Sequence, residues 1–459
     1  MKTKYRSMLQ GPLWSGIIAY TIPIILTSVL QLLFNAADLV VVGRFCGSVS
    51  VAAVGATGSV TNLIVTLFMG LSVGAGVAIA HSIGSRNEED THRTVHTALP
   101  TALLGGAFLT VIGILCSKPL LRLMGTPENV LPLSAVYMQI IFAGMIFSLV
   151  YNFCAAILRA AGDTQGPLVY LTAAGVLNVA LNLFFVVVLH MNVAGVALAT
   201  IISQAVSAVL VVIALMRRTD ACHLELKKMR IYKPQLKKII RIGLPAGIQG
   251  SLFGISNTMI QSSINSFGDV VMSGNAAAAN IEGFVYVSFN AFQQTVTNYV
   301  GQNAGAGQYK RAYKSLWVCL ISASVISFVI GLIAYIFGRP LLSIYITDSP
   351  EAIEYGIVRM SMVGLPYFLC ALMEVTTGAL RGMGSSTEPM LISILGICGV
   401  RILWIYTVFA AFPTPRVLYL SYMVTWIITF VFQLLAFLRV YRKRLQATQM
   451  PPLDCGQKL

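Results

Sequence analysis

Long apolar stretches, separated by short polar segments, follow one another along almost the whole chain. An α-helix rises about 1.5 Å per residue, so about 20 apolar residues are enough to cross a hydrocarbon core of about 30 Å. Twelve stretches have the required length, and they predict an all-α membrane protein with twelve transmembrane helices. The stretches cover residues 13–42, 51–81, 95–116, 134–157, 167–189, 193–216, 239–267, 271–300, 315–337, 352–378, 389–411 and 417–438.

The composition supports this class. Of the 459 residues, 57% are hydrophobic and only 10% are charged, whereas soluble domains carry roughly 25% charged residues. The first stretch is too long for the core of a secretory signal peptide, so we expect no cleaved leader. The eight cysteines are scattered without a CxxC pair, which argues against a zinc site and a disulfide framework.

The charge of the chain is unevenly distributed over its loops. The net charge is +15, and 24 of the 31 Lys and Arg residues fall in segments on the same side as the N-terminus. Cytoplasmic loops of membrane proteins are enriched in Lys and Arg, so we expect a multi-pass membrane protein with both termini in the cytoplasm. The same rule explains the basic excess without a nucleic-acid partner.

The chain contains an internal repeat. LRAAGDTQGP at residues 158–167 is matched by LRGMGSSTEP at residues 380–389, an offset of 222 residues. Gly162 and Gly384 permit a positive φ, and the prolines suit the first turn of the next helix. We therefore expect two equivalent cytoplasmic turns.

The repeat sets the predicted domain organisation. Residues 1–216 form an N-lobe, 217–238 a basic cytoplasmic linker, 239–440 a C-lobe and 441–459 a cytoplasmic tail. Six helices per lobe is an even number, so both repeats enter the membrane from the same side. Parallel repeats of this kind place a substrate site near the midplane between two lobes, at a central cleft.

Several motifs together resemble the multidrug and toxic compound extrusion (MATE) family over essentially the whole chain. They are DLVVVGRFCG from Asp38, AAVG from Ala52, the two repeated turns, and GQNAGAG from Gly301. The resemblance implies secondary transport of small organic, cationic or amphipathic solutes by antiport with H⁺ or Na⁺. It implies no cofactor besides the coupling ion, and it implies a bacterial inner (cytoplasmic) membrane as the location. We expect a monomer in the lipid bilayer.

Apart from Glu354, which is only two residues from the start of its stretch, three carboxylates lie inside the predicted spans: Asp38, Glu282 and Glu374. A charge at membrane depth costs about 2.5–3.5 kcal/mol on insertion scales, so each is a candidate functional group. Gln31, Asn35 and Asp38 share one helical face because of their spacing. An acid among neutral oxygen donors suits a relayed proton or a hard cation such as Na⁺. Interhelical hydrogen bonding without any ion is the alternative.

For the first lobe, the resemblance implies a cation pocket made of a helix-1 Asp and polar residues of helices 4, 5 and 6. The sequence departs from some family members, which have a second Asp where this chain has Asn182 and a Tyr where it has Phe34. A relay through two acids is therefore in doubt here. The predicted coupling-cation residues are Asp38, Asn35, Asn152, Asn178, Asn182 and Thr200.

The second lobe carries a different polar set. Polar residues recur at helical spacing from Glu282 to Thr297 and from Tyr367 to Arg381, and we expect them to avoid lipid. Arg401 lies within a span, so we expect it to pair with Glu282 or Glu374. The predicted second polar, substrate or cation site is Asn257, Gln261, Glu282, Glu374 and Arg401.

Two other functions remain open from the sequence. A flippase for lipid-linked saccharides or peptidoglycan precursors would need several arginines in the spans to bind pyrophosphate. Only Arg359 and Arg401 qualify, because Arg241 is counted with the basic linker at the cytoplasmic end of its stretch. An intramembrane enzyme would need a nucleophile with a base, or a metal set. The five histidines have no such partners in the sequence.

Overall fold

The structure is a computed structural model that describes residues 8–347 and 349–449, and all regular structure in these ranges is helical. The helices of the first half are α1 (Leu13–Phe45), α2 (Ser48–Gly84), α3 (Glu88–Leu123), α4 (Leu131–Ala143), α5 (Met145–Ala160), α6 (Gln165–Leu183) and α7 (Asn192–Met216). Those of the second half are α8 (Lys233–Asn265), α9 (Asp269–Gly305), α10 (Tyr309–Ile336), α11 (Gly338–Ser343), α12 (Pro350–Arg359), α13 (Tyr367–Gly382), α14 (Thr387–Ser393), α15 (Val400–Trp404) and α16 (Pro415–Gln449).

The predicted spans all coincide with helical segments. Within the described ranges, ten segments are long and apolar enough to cross a membrane, and the bent pair α4 and α5 provides an eleventh. Helix α9 has 37 residues, but its Asn, Gln and Glu side chains make it too polar to pass the same test. The prediction of an all-α protein is confirmed.

The apolar stretch 134–157, predicted as one helix, is broken at Gly144. The two pieces, α4 and α5, meet at an angle of 44°. At the break, the Thr110 hydroxyl donates to the Phe142 carbonyl at 2.8 Å. Gly144 also lies directly against Ile201. A Cβ at Gly144 would be only 2.5 Å from Ile201 Cγ1, so a larger residue would not fit there. Side chains from neighbouring helices therefore stabilise the bend.

In the residues that the structure describes, four single turns of π-helix interrupt the helices. One follows α6, one joins α12 to α13, and two lie on either side of α15. A π turn adds a residue to the helical turn, and such turns often occur at functional sites. Their bounds are Phe184–Val188, Met360–Gly364, Ile394–Gly399 and Ile405–Phe409.

The two repeated turns have the same backbone geometry. Gly162 has a φ of 92° and Gly384 a φ of 84°, as predicted. Asp163 N donates to Leu158 O at 2.9 Å, and Ser385 N donates to Leu380 O at 3.0 Å. The N–H groups of Gly162 and Gly384 also donate hydrogen bonds to carbonyls of the preceding helix. Together, the two bonds at each turn form the Schellman pattern that ends a helix. The repeat is thus present in three dimensions as well as in the sequence.

The chain divides into two compact units. The first contains Ile18–Ile83 and Asn87–Ser262, and the second contains Met8–Ile17, Gly84–Arg86 and the residues from Ser263 onward. The division follows packing, whereas the predicted lobes follow the sequence repeat. The lobe boundaries at 216 and 239 therefore remain a prediction.

Most of α8 belongs to the first unit because it packs against α2 through glycines. A Cβ on Gly70 would lie 2.2 Å from Gly247 N, and a Cβ on Gly74 would lie 2.2 Å from Ile239 O. No side chain fits between the two backbones at these points. Small residues allow this kind of close helix contact in membrane proteins.

The linker between α7 and α8 packs on the start of α3. His96 Nε2 accepts a hydrogen bond from Glu225 N at 3.0 Å, and Thr97 Oγ1 accepts one from Tyr232 N at 3.2 Å. Within the linker, Arg218 forms an ion pair with Asp220. These contacts give the linker a defined path across the first unit.

Candidate functional site

Asp38 lies in the C-terminal part of α1, where it is half-buried. Its Oδ1 accepts a hydrogen bond from Asn182 Nδ2 of α6. Thr200 Oγ1 of α7 lies 3.4 Å from Asp38 Oδ2, although it also donates to the Val196 carbonyl of its own helix at 2.9 Å. The carboxylate thus connects α1 to α6 and α7.

Two asparagines complete a closed ring of hydrogen bonds. Asn182 Nδ2 also donates to Asn178 Oδ1 at 3.2 Å, and Asn178 Nδ2 lies 3.5 Å from Thr200 Oγ1. Asn178 and Asn182 are separated by one helical turn of α6, and both are buried. We call Asp38, Asn178, Asn182 and Thr200 the Asp38 network.

The Asp38 network is rich in oxygen atoms and contains no cationic group. In the described ranges, no Lys, Arg or His nitrogen lies within 4.0 Å of the Asp38 carboxylate. Asn182 Oδ1 is buried and has no hydrogen-bond partner there. Carboxylate, amide and hydroxyl oxygens are ligands for hard cations, and a carboxylate can also take a proton.

Apolar packing holds α1 in place beside the network. The Phe34 ring lies directly on Gly175 of α6, since a Cβ at Gly175 would be 1.8 Å from Phe34 Cε2. On the other side of Asp38, Val41 and Val42 join a buried cluster with Val186, Val193 and Val196. Val186 belongs to the π turn after Asn182, so this irregular turn also packs against α1.

Two residues predicted for this site do not join the Asp38 network. Asn35 is exposed, and within the described ranges no hydrogen bond links it to the network. The Asn152 amide donates to the Ser148 carbonyl of its own helix at 2.8 Å. The structure therefore brings together four of the six predicted residues.

The second unit holds a buried ion pair. Arg359 Nη2 lies 2.7 Å from Glu282 Oε2, and Arg359 Nε lies 3.2 Å from Glu282 Oε1. The two side chains are 9% and 4% exposed, respectively. Two parallel contacts between a guanidinium and a carboxylate form a strong and well-oriented pair.

Further polar and aromatic groups surround this pair. Asn275 Oδ1 accepts from Arg359 Nη1 at 2.7 Å and from the Tyr419 hydroxyl at 3.2 Å. The Arg359 guanidinium also lies 5.6 Å from the centre of the Tyr419 ring, within the range of a cation–π contact. We call Glu282, Arg359, Asn275 and Tyr419 the Glu282 cluster.

One of the two partners expected for Arg401 is already occupied. Glu282, one of its two expected partners, is paired with Arg359 instead. Arg401 lies over the Tyr422 ring, 4.4 Å from its centre, where the aromatic face stabilises the cation. Sequence reasoning did not select Arg359 or Asn275, although an arginine within an apolar stretch was a visible signal for the former.

Glu374 lies where α13 packs against α9. Its Oε2 accepts a hydrogen bond from the Gln293 side chain. Close packing holds the two helices together: a Cβ on Gly378 would lie 2.6 Å from the Gln293 carbonyl, and the Thr297 hydroxyl donates to Gly378 O at 3.1 Å. The polar faces predicted on these two helices therefore contact each other inside the second unit.

The remaining predicted residues, Asn257 and Gln261, lie on α8 in the first unit. Asn257 is half-buried and Gln261 is exposed. Glu282, Glu374 and Arg401 belong to the second unit. The predicted second polar set is thus divided between the two units. Within the described ranges, no group of three or more His, Cys, Asp or Glu side chains could hold a metal ion.

Comparison with known proteins places these features in a family. The MatE family model matches residues 23–184 and again residues 245–407. The probable multidrug resistance protein YoeA of Bacillus subtilis is 28% identical over 398 residues, covering 85% of each chain. The probable multidrug resistance protein NorM of Thermotoga maritima is 27% identical over 395 residues, which are 84% of this chain and 83% of NorM.

The fold is also that of a solved MATE family transporter. An outward-facing multidrug resistance MATE transporter of the MOP superfamily superimposes with a TM-score of 0.88 at 23% identity. The match covers 97% of this chain and 99% of the solved one. The two matches to the family model begin 222 residues apart, the offset of the sequence repeat. The protein is a multi-pass membrane transporter rather than an enzyme, and the chain belongs to the MATE family.

Proposed function

We propose that the protein exports small organic solutes, cationic or amphipathic in character, by antiport with a monovalent cation, H⁺ or Na⁺, that binds at Asp38. One observation carries the proposal. The Asp38 carboxylate is held by neutral amide and hydroxyl groups of two other helices. An acid at membrane depth without a cationic partner is suited to load and release a cation.

The Asp38 network connects this binding event to helix packing. A cation at Asp38 would compete with Asn182 and Thr200 for the carboxylate oxygens, because both residues contact them. Loading would therefore change the contacts that fix α1 on α6 and α7. Altered packing of α1 is the step that we propose couples the cation to solute release.

The available energy is sufficient for this task. One cation that moves down about 150 mV releases about 3.5 kcal/mol. This energy sustains a roughly 300-fold gradient of a neutral solute. The names of YoeA and NorM, both probable multidrug resistance proteins, support an organic solute as the cargo. We further propose a monomer with both termini in the cytoplasm.

The Glu282 cluster bears on the flippase alternative. Binding of an anionic pyrophosphate would need available arginines in the spans. Arg359 already contacts the Glu282 carboxylate and Asn275. The observation favours export of a solute that is not polyanionic.

The test is efflux of a cationic dye from proteoliposomes under an imposed pH gradient and, separately, an imposed Na⁺ gradient. We expect Asp38→Asn to reduce gradient-driven efflux at least about 100-fold, because the neutral amide cannot take up a charge-compensating cation. The matched control is Glu128→Gln, which neutralises an exposed acid and should transport normally. Efflux at the wild-type rate by a folded Asp38→Asn protein would refute the role of Asp38.

A further inference from the structure

The first turns of α8 carry a row of cations on one side of the helix. Lys233, Lys237 and Arg241 are spaced four residues apart, and all three are exposed. Eight residues of helix span about 12 Å, so the three charges line one face over that distance. We call these residues the α8 basic stripe. Other sides of α8 are engaged elsewhere, since Gly243 and Gly247 contact α2.

The charge of the α8 basic stripe is not compensated within the described ranges. The nearby acids are occupied: Arg218 pairs with Asp220, Lys228 with Glu225, and Lys238 with Asp90. No carboxylate oxygen lies within 4.0 Å of the stripe nitrogens in the part of the chain that the structure describes. The stripe is therefore available to an external anion.

Exposed apolar side chains accompany the cations. Ile240 and Leu244, next to the stripe on α8, are 40% and 42% exposed. Leu226 and Ile231 of the linker are 45% and 36% exposed. A surface that combines basic and exposed apolar side chains is typical of segments that lie at the membrane interface.

The stripe is in a suitable place for lipid headgroups. Helix α8 has 33 residues, a length of about 50 Å, which exceeds the hydrocarbon core by about 20 Å. The apolar stretch of this helix begins at residue 239 and reaches its C-terminal end, so we place the excess length, and with it the N-terminal turns, in the headgroup region. The preceding linker is fixed on α3 by the bonds to His96 and Thr97, so the charges are held in position before any ligand binds.

We propose that the α8 basic stripe binds the phosphate groups of anionic phospholipids in the leaflet that contains the linker. Clusters of Lys and Arg directly beside a membrane-spanning helix attract anionic lipid. Fixed spacing along one helical face lets successive residues contact neighbouring headgroups, while Ile240 and Leu244 contact the acyl chains. This binding is independent of the Asp38 network and does not rest on the proposed function.

The experiment uses the full-length protein in nanodiscs of phosphatidylcholine, with and without phosphatidylglycerol. Phosphatidylglycerol that remains bound after extraction into detergent is counted by native mass spectrometry. For the triple variant Lys233→Gln/Lys237→Gln/Arg241→Gln, we expect at least a tenfold decrease in retained phosphatidylglycerol. Wild-type retention should also fall with added salt, because salt screens exposed charges.

Two further variants test whether a loss of bound lipid comes from the stripe itself. The first controls for the lower total charge, and the second controls for misfolding. Arg44→Gln/Lys118→Gln/Arg416→Gln removes three exposed charges from three different helices, where they form no row, and should retain phosphatidylglycerol like the wild type. Lys233→Arg/Lys237→Arg keeps the charge and should also retain it. Equal losses in both triple variants, or no loss in the stripe variant, would overturn the proposal.

Discussion

Asp38 and Glu282 are both acids inside membrane-spanning helices, but their partners differ in charge. Asp38 contacts the neutral groups of Asn182 and Thr200. Glu282 makes two contacts with the Arg359 guanidinium and is almost completely buried. The first acid retains a charge that an external cation could neutralise, whereas the second is neutralised by the protein itself.

We propose that the two acids have separate tasks. A carboxylate locked to an arginine stabilises the packing of its helices, and separating the two is costly. A carboxylate among amides and hydroxyls can bind or release a cation, and no arginine of the protein is left buried without its partner. Membrane depth alone therefore does not identify a coupling acid, because the charge of its neighbours must also be known.

The largest effect should come from breaking the buried ion pair. Arg359→Leu leaves the Glu282 charge buried without its partner, and we expect a loss of about 3–5 kcal/mol in the free energy of unfolding. The measurement is thermal or denaturant unfolding of the purified protein in detergent. The double variant Glu282→Leu/Arg359→Leu should recover most of the loss, because no charge is left buried. Equal stabilities of the single and double variants would contradict this account.

An intermediate effect is expected from Asn182→Leu. This change removes the donor to Asp38 and to Asn178 Oδ1, and a buried acceptor left without its donor costs about 1–3 kcal/mol. The H⁺ or Na⁺ concentration that gives half-maximal efflux should also change by about tenfold, because the loss of one partner shifts cation affinity by about 1.4 kcal/mol. Asn35→Leu is the control, since Asn35 is exposed and outside the network. If both variants shift the cation dependence equally, the Asp38 network does not bind the cation.

The smallest effect should follow from Tyr419→Phe. The change removes the hydroxyl that donates to Asn275 at 3.2 Å, which should lower the free energy of unfolding by about 0.5–1.5 kcal/mol. The cation dependence of efflux should remain that of the wild type, because we propose a structural role for the Glu282 cluster. A changed cation dependence would show that this cluster takes part in coupling after all.

Local features of the fold were predictable from the sequence. Gly162 and Gly384 adopt the positive φ values expected of them, because glycine permits this conformation and the proline five residues later fixes its own φ. The one-turn spacing of Asn178 and Asn182 also placed both on one face of α6, where the structure brings them to Asp38. Their role in cation binding remains a prediction.

Long-range pairing was not predictable in the same way. Arg359 and Glu282 are 77 residues apart, and the sequence does not specify which of several arginines reaches an acid. Asn35 shows another limit, because it shares a helical face with Asp38 by spacing and yet is exposed. Periodicity orders side chains around one helix, but the positions of neighbouring helices decide which of them are buried.

The π turns have a consequence for exchanging segments between the two halves. In the described residues, one π turn follows α6 in the first half, whereas two π turns flank α15 in the second half, so the second segment contains one more added residue. One added residue rotates all later side chains by about 100° around the helix axis. A chimera that transplants the α14–α15 segment by a constant offset would therefore aim its side chains at the wrong neighbours. Such a graft keeps its register only if it carries its own π turns.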